Sequence, residues 1–160
     1  MKLFDAVKPM LASAANEQPD RLWKQLGDSW VFEPKLDGFR CLVHADADRV
    51  ILRSRNGNDI TARFQHTSLP SFINPVVLDG ELIAVDDAGK PAFNQVQRVQ
   101  GKPGDPVASF VAFDILWDAG NGDTRRLPWA TRREALDHYV EIGISVVPFS
   151  TDGPNTWAAA

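Results

Sequence analysis

The residues Glu33-Pro34-Lys35-Leu36-Asp37-Gly38-Phe39-Arg40 put an amine, carboxylates and a guanidinium into one short stretch. A lysine between two predicted strands, followed by Asp-Gly and then Arg, sets an amine at a turn, where Gly38 permits close approach of another backbone. The chemistry open to such an amine is nucleophilic attack, for which it must be neutral. A free lysine is neutral in only about one molecule in a few thousand at pH 7. A neighbouring cation or a dry pocket raises that fraction, and Arg40 is the nearest candidate cation in sequence. The alternative is a surface hairpin with scattered charges. Against it, Lys-x-Asp-Gly-x-Arg arises by chance in a chain of this length on the order of once in a thousand.

Three further blocks carry polar or aromatic chemistry. In Leu78-Asp79-Gly80-Glu81-Leu82, strand alternation points Asp79 and Glu81 to one face and Leu78 and Leu82 to a core on the other. Two carboxylates side by side repel, so a metal ion, a lysine or a sugar hydroxyl should compensate them; a solvated edge strand is the competing reading. In Ser54-Arg55-Asn56-Gly57 a turn presents Arg55, which could hold a phosphate or a carboxylate, although by itself a solvated turn is the favoured reading. In Phe110-Val111-Ala112-Phe113-Asp114-Ile115-Leu116, alternation sets Phe113 on one face with Val111 and Ile115. By itself that Phe reads as core, with a stacking surface for a purine ring as the functional alternative.

These blocks need elements to hold them. A short helix is expected over Gln18–Gly27, and strands over Trp30–Pro34, Phe39–Ala45, Arg49–Ser54, Val76–Val85, Val107–Trp117 and Ile144–Phe149. Turns follow at Asp46-Ala47-Asp48, Asn56-Gly57 and Asp86-Asp87-Ala88-Gly89. A helical segment is expected around Phe93–Gln97, and Thr131 with Glu134 forms a capping box for a helix over Arg132–Ile142. Asp152–Ala160 reads as the opening of another helix. Strands in succession with helices inserted irregularly predict an α+β fold with antiparallel β-sheets flanked by helices.

The 160 residues suffice for one domain with a hydrophobic core, and 44% hydrophobic with 24% charged residues is ordinary for a globular protein. A net charge of −4 argues against a dedicated nucleic-acid-binding module, which would carry a basic excess. Cys41 is the single cysteine, so neither an internal disulfide nor a cysteine zinc cluster can form. With no apolar stretch of membrane-spanning length and no signal-like start, a cytoplasmic protein without a membrane partner is expected.

Taken in order, these blocks resemble the covalent nucleotidyltransferase superfamily of ATP-dependent DNA ligases, RNA ligases and mRNA capping enzymes. Lys35 to Arg40 matches its motif I, Ser54 to Gly57 the short arginine motif, Asp79-Gly80-Glu81 motif III, and Phe113-Asp114 motif IIIa. Pro9-Met10-Leu11-Ala12 and Phe93–Arg98 are similar to bacterial ATP-dependent DNA ligases, including the end-joining type. The resemblance implies a nucleotidyltransferase (ligase adenylation) domain with ATP and magnesium as cofactors, acting in DNA repair and recombination. Lys35 would form a lysyl-AMP phosphoramidate and pass AMP to a 5′-phosphate on nicked or broken duplex DNA. Glu33 would recognise the base edge, Arg40 and Arg55 would hold the nucleotide, Phe113 would stack on adenine, and Glu81 would contact the ribose or, with Asp79, a metal.

Neither the Glu-Gly block nor the paired-lysine block of that family follows Phe113, and its OB-fold is missing from the sequence. The resemblance therefore implies that residues 1–160 form a partial adenylation domain, incomplete at the C-terminus and not expected to seal a nick alone. The later motifs and the DNA-binding surface would then come from other regions or from a complementary polypeptide. The alternatives are an RNA ligase or capping-type nucleotidyltransferase, or a non-catalytic nucleotide-binding remnant.

Overall fold

The computed structural model describes residues 6–13, 21 and 30–151. The chain divides into two compact units, one of residues 1–10 and 36–146, the other of residues 11–35 and 147–160.

The first unit is built on a six-stranded sheet of β1 (Phe39–Ala45), β2 (Val50–Ser54), β3 (Val76–Ile83), β4 (Ser109–Asp118), β5 (Gly122–Asp123) and β6 (Ser145–Val146). The order is β2-β1-β3-β4-β5, with β6 beside β4. All pairs are antiparallel except β4 with β6, which is parallel. Helix α1 (Phe93–Arg98) and helix α2 (Trp129–Asp137), the latter running into a 3-10 turn at His138–Val140, complete the unit. The α+β expectation holds, with a single mixed sheet in place of wholly antiparallel ones.

Alternation along β1 and β3 sorts residues onto two faces. Cys41, Val43 and Ala45 of β1 and Val76, Leu78 and Leu82 of β3 are buried in the main core with Phe64, Phe72, Val96 of α1 and Leu136 of α2. On the opposite face Leu42, Val77 and Leu116 make a smaller cluster with Val7, flanked by Met10 and Trp117. Arg40, directly across from Glu81, and Asp79, directly across from Leu42, lie on this second face. The sheet thus offers one largely apolar side and one side only partly covered by apolar groups.

The pairing of β3 with β4 slips twice. Val77 faces Trp117 while Leu78 faces Ile115, and Asp79 faces Asp114 while Gly80 faces Ala112, so Leu116 and Phe113 are extra residues in bulges. A bulge re-aims its side chain and breaks the period of two. This corrects the expected grouping of Phe113 with Ile115: Ile115 is buried in the main core, and Phe113 belongs to neither apolar cluster.

Other expectations shift for physical reasons. Helix α2 begins at Trp129 behind Pro128, whose carbonyl accepts the Arg132 N–H at 3.2 Å. Proline suits a helix start because its fixed φ and missing N–H cost nothing there. Thr131 therefore lies within the first turn, and no side chain caps the helix, so the Thr131–Glu134 capping box does not form. The strand expected over Ile144–Phe149 is only Ser145–Val146, and β5 was not foreseen because two residues carry no periodic signal.

In the second unit, the strand expected over Trp30–Pro34 is a single antiparallel bridge, Phe32 with Ser150, closed by N–H to O bonds of 2.9 Å in both directions. The helices expected over Gln18–Gly27 and from Asp152 onward lie outside the described residues, apart from Arg21. Among the described residues no helix is long and apolar enough to cross a membrane.

Candidate active site

Motif residues converge where β1, β3 and β4 meet on the second face. The Arg40 guanidinium donates to both oxygens of Asp79, Nε to Oδ1 at 3.0 Å and Nη2 to Oδ2 at 2.7 Å. Nη2 also donates to the Met10 carbonyl at 2.7 Å, which ties the N-terminal segment to the pair. The Asp79 side chain is 1% exposed and Arg40 23%. Burial pushes the Asp79 carboxyl upward and the Arg40 guanidinium opposes it; the same contact raises Arg40, whose charge is also favoured by Glu81 and Asp114. Where a metal ion, a lysine or a sugar hydroxyl was expected to compensate the carboxylates, Asp79 is held by Arg40 instead. Asp79, offered as a metal ligand from sequence, gives both oxygens to Arg40.

Arg40 also lies over the Phe113 ring, its Cζ 5.4 Å from the centroid, a cation–π geometry. Phe110 and Ala112 lie in the main core, so alternation carries Phe113 to the opposite face, where it meets Arg40. This half-buried ring is joined through Arg40 to motif I and through Asp79 to motif III, three blocks spread across the sequence and gathered on one sheet face.

Two glycines make the gathering possible. A Cβ on Gly80 would stand 2.5 Å from the Phe110 ring, and one on Gly38 would stand 2.3 Å from the Leu82 carbonyl and 2.8 Å from Glu81 Cγ. The close approach that Gly38 permits is thus that of β3. Arg55 lies at an exposed turn that closes with Gly57 N–H to the Ser54 carbonyl at 2.8 Å. It lines a cavity of about 230 Å³ with Lys8, Arg53, His44 and Gly57. A larger cavity of about 530 Å³, walled by Phe72, Tyr139, Asn121 and Glu134, contains none of the motif residues.

The model of the ATP dependent DNA ligase domain matches residues 9–152. The chain belongs to the ATP-dependent DNA ligase family. It is 34% identical over 151 residues to the multifunctional non-homologous end joining protein LigD of Mycolicibacterium smegmatis, covering 91% of this chain and 19% of that protein. It is 36% identical over 162 residues to the LigD end-joining repair protein of Mycobacterium tuberculosis strain H37Rv, covering 98% and 20%. A solved structure of mycobacterial DNA ligase D complexed with ATP and MES superposes with a TM-score of 0.73 at 31% identity, over 91% of this chain and 47% of that one. The chain spans about a fifth of the length of these LigD relatives.

Within the ligase family assignment, the site residues named from sequence divide between the two units. Arg40, Arg55, Asp79, Glu81 and Phe113 belong to the first, Glu33 and Lys35 to the second, and the boundary falls between Lys35 and Leu36 inside motif I. Lys35 is exposed. Sequence reasoning missed two participants. The Met10 carbonyl sits in the Pro9–Ala12 block, where a backbone acceptor carries no sequence signal of its own. Arg132 holds Asp114, the residue after Phe113, through Nε to Oδ1 at 2.8 Å and Nη2 to Oδ2 at 3.0 Å. An arginine eighteen positions downstream gives no local signal of that pairing.

Proposed function

We propose that the chain is part of the adenylation domain of an ATP-dependent DNA ligase, with Lys35 as the nucleophile. The observation that carries the reading is the Arg40–Asp79–Phe113 constellation, which joins motifs I, III and IIIa on one face of the sheet. In this reading the Lys35 amine attacks the α-phosphorus of ATP, a P–N bond forms, and the bond to pyrophosphate breaks as the amine proton leaves to solvent. Arg40 and Arg55 offer positive charge to the nucleotide, Phe113 a stacking surface for adenine, Glu33 a contact for the base edge and Glu81 one for the ribose. AMP then passes to a 5′-phosphate on nicked or broken duplex DNA, in end-joining repair as the LigD relatives' names suggest.

Asp79, one of the two carboxylates named for a metal, does not fit one. Asp79 is committed to Arg40, and among the described residues no group of three or more His, Cys, Asp or Glu side chains could hold a metal ion. Magnesium would come with the phosphates of ATP, as it commonly does, and no side chain of this chain is assigned to it.

The test is covalent labelling with ATP carrying a radioactive α-phosphate, on the chain alone and fused to the remainder of a ligase domain from a relative. The fused protein should acquire an acid-labile AMP adduct that mass spectrometry maps to Lys35, and Lys35→Ala should remove it. Full labelling of the Lys35→Ala protein would reject the nucleophile, and labelling by GTP in preference to ATP would favour the capping-type alternative.

A further inference from the structure

We infer that Arg132 is a positioning residue for the nucleotide pocket, fixing the angle at which Phe113 meets the base. The inference rests on the reading of Phe113 given above.

Phe113 is the extra residue of a bulge, and a bulged residue is left out of the regular ladder, so its neighbours must fix its orientation. The next residue, Asp114, is fixed on both sides. Its Oδ1 accepts from the Ile115 N–H at 2.9 Å and from Arg132 Nε at 2.8 Å, and its Oδ2 accepts from Arg132 Nη2 at 3.0 Å. The third arm of Arg132, Nη1, donates to the Leu127 carbonyl at 2.6 Å, just ahead of α2. Both side chains are largely buried, 12% exposed for Arg132 and 15% for Asp114. A planar guanidinium thus ties the residue beside Phe113 to the helix start, while the Ile115 N–H holds the same carboxylate from the strand.

A second, electrostatic route ends at the same ring. Asp114 stands directly opposite Asp79 across the β3–β4 ladder, and like charges so placed repel. Asp114 also acts on Arg40 as a second negative charge. With Arg132 on Asp114, each carboxylate has its own guanidinium, and Arg40 stays on Asp79 with its Cζ over Phe113. Two arginine–aspartate pairs therefore bracket the bulged ring, one from β1 and one from α2.

The test compares two probes on the 160-residue chain by titration calorimetry: ATP, which carries a base, and inorganic tripolyphosphate, which does not. Phe113→Ala should weaken ATP binding on the order of tenfold, the usual size of a lost base–aromatic stack. Arg132→Met should weaken ATP several-fold and leave tripolyphosphate unchanged. Arg132→Lys should fall between, because an ammonium keeps the charge without the fork. In a Phe113→Ala background Arg132→Met should have no further effect on ATP, as expected of residues that act through one another.

A merely structural anchor would lower the melting temperature and weaken both probes alike. Equal loss for both probes, unchanged ATP affinity, or an Arg132 effect undiminished by Phe113→Ala would each overturn the inference. If Arg132→Met does not fold, Arg132→Lys carries the same comparison. A parent chain that shows no preference for ATP over tripolyphosphate would remove the adenine reading of Phe113, and this inference with it. A parent that prefers ATP to the same degree as Arg132→Met would remove only the role of Arg132.

Discussion

The molecule makes the same bidentate arginine–carboxylate contact in two very different settings. Arg40 and Asp79 meet at 2.7 Å across two strands, with the carboxylate 1% exposed. Arg125 and Asp123 meet at 2.6 Å two residues apart at the end of β5, with the carboxylate 48% exposed. Geometry alone would rank them equal. Solvent separates them: in the buried pair the carboxylate depends on its arginine, whereas in the exposed pair water can replace either partner. The lesson is that a short distance reports a contact, and burial decides what its loss would do. The variants that follow break the buried pair, load the core beside it while sparing it, or show how little the exposed one holds.

The largest effect is expected from Arg40→Met, which strands Asp79 without its cation. Removing one partner of a buried pair typically costs about 3–5 kcal/mol, and the partial exposure of Arg40 points to the lower end, about 3 kcal/mol. Asp79→Asn should cost less, because the arginine left behind can reach solvent. The pH dependence supplies a second check. Burial raises the Asp79 carboxyl, and without Arg40 nothing in the pair opposes that rise. A group whose folded pKa lies above its unfolded value favours the fold at low pH and ceases to do so as pH rises through the folded pKa. The penalty of Arg40→Met should therefore shrink on acidification, and the Arg40→Met/Asp79→Asn double variant should lack this dependence. Urea denaturation of the three variants from pH 4 to 8 measures it; a pH-independent penalty would mean that Asp79 finds another cation.

A smaller loss is expected at the residue between the two motif III carboxylates. Gly80→Ala forces a methyl to within 2.5 Å of the Phe110 ring and the Val111 carbonyl. Overpacking of this kind costs roughly 1–3 kcal/mol. Since Phe110 lies in the main core while Asp79 and Glu81 point the other way, the loss should appear in thermal stability. The Arg40–Asp79 pair should survive it, which the unchanged pH dependence of unfolding would show.

Much of this arrangement was legible in the sequence. Alternation in Leu78–Leu82 correctly separated two buried leucines from two acidic residues, because β3 keeps a strict period of two against β1. The β1 strand was placed to the residue, bounded as it is by Gly38 and the Asp46 turn. Legibility failed where pairing, not pattern, decides. The bulge that sends Ile115 to the core arises from the β3–β4 register, which no property of Phe110–Leu116 alone encodes. The Arg132–Asp114 clamp joins residues brought together only when α2 packs beside β4. Helix α2 itself starts early because Pro128 acts at the helix boundary, a stronger local constraint than the Thr131–Glu134 spacing.

The smallest effect should come from the exposed pair, and it is visible only site by site. The Arg125 guanidinium donates Nε to Asp123 Oδ1 at 2.8 Å and Nη2 to Oδ2 at 2.6 Å, and holds the Asp123 carboxyl down to about 2. A carboxylate with a folded pKa below its unfolded value favours the fold above the unfolded pKa and ceases to do so as pH falls through the folded one. For Asp123 that window runs from its ordinary value of 3.8 down to about 2. Because the carboxylate is nearly half exposed, solvent screening leaves little of the shift as stability. Arg125→Ala should therefore change unfolding by no more than the roughly 0–1 kcal/mol of surface pairs. What should move is the titration itself: carbon-detected NMR of Asp123 should give a midpoint near 2 in the parent and a return toward the ordinary value in Arg125→Ala. If the Arg125→Ala midpoint stays low, the depression comes from the backbone N–H of residue 125 or the charge of Arg126, which also act on that carboxyl. If the variant instead loses stability on the scale of Arg40→Met, burial is not what separates the two pairs.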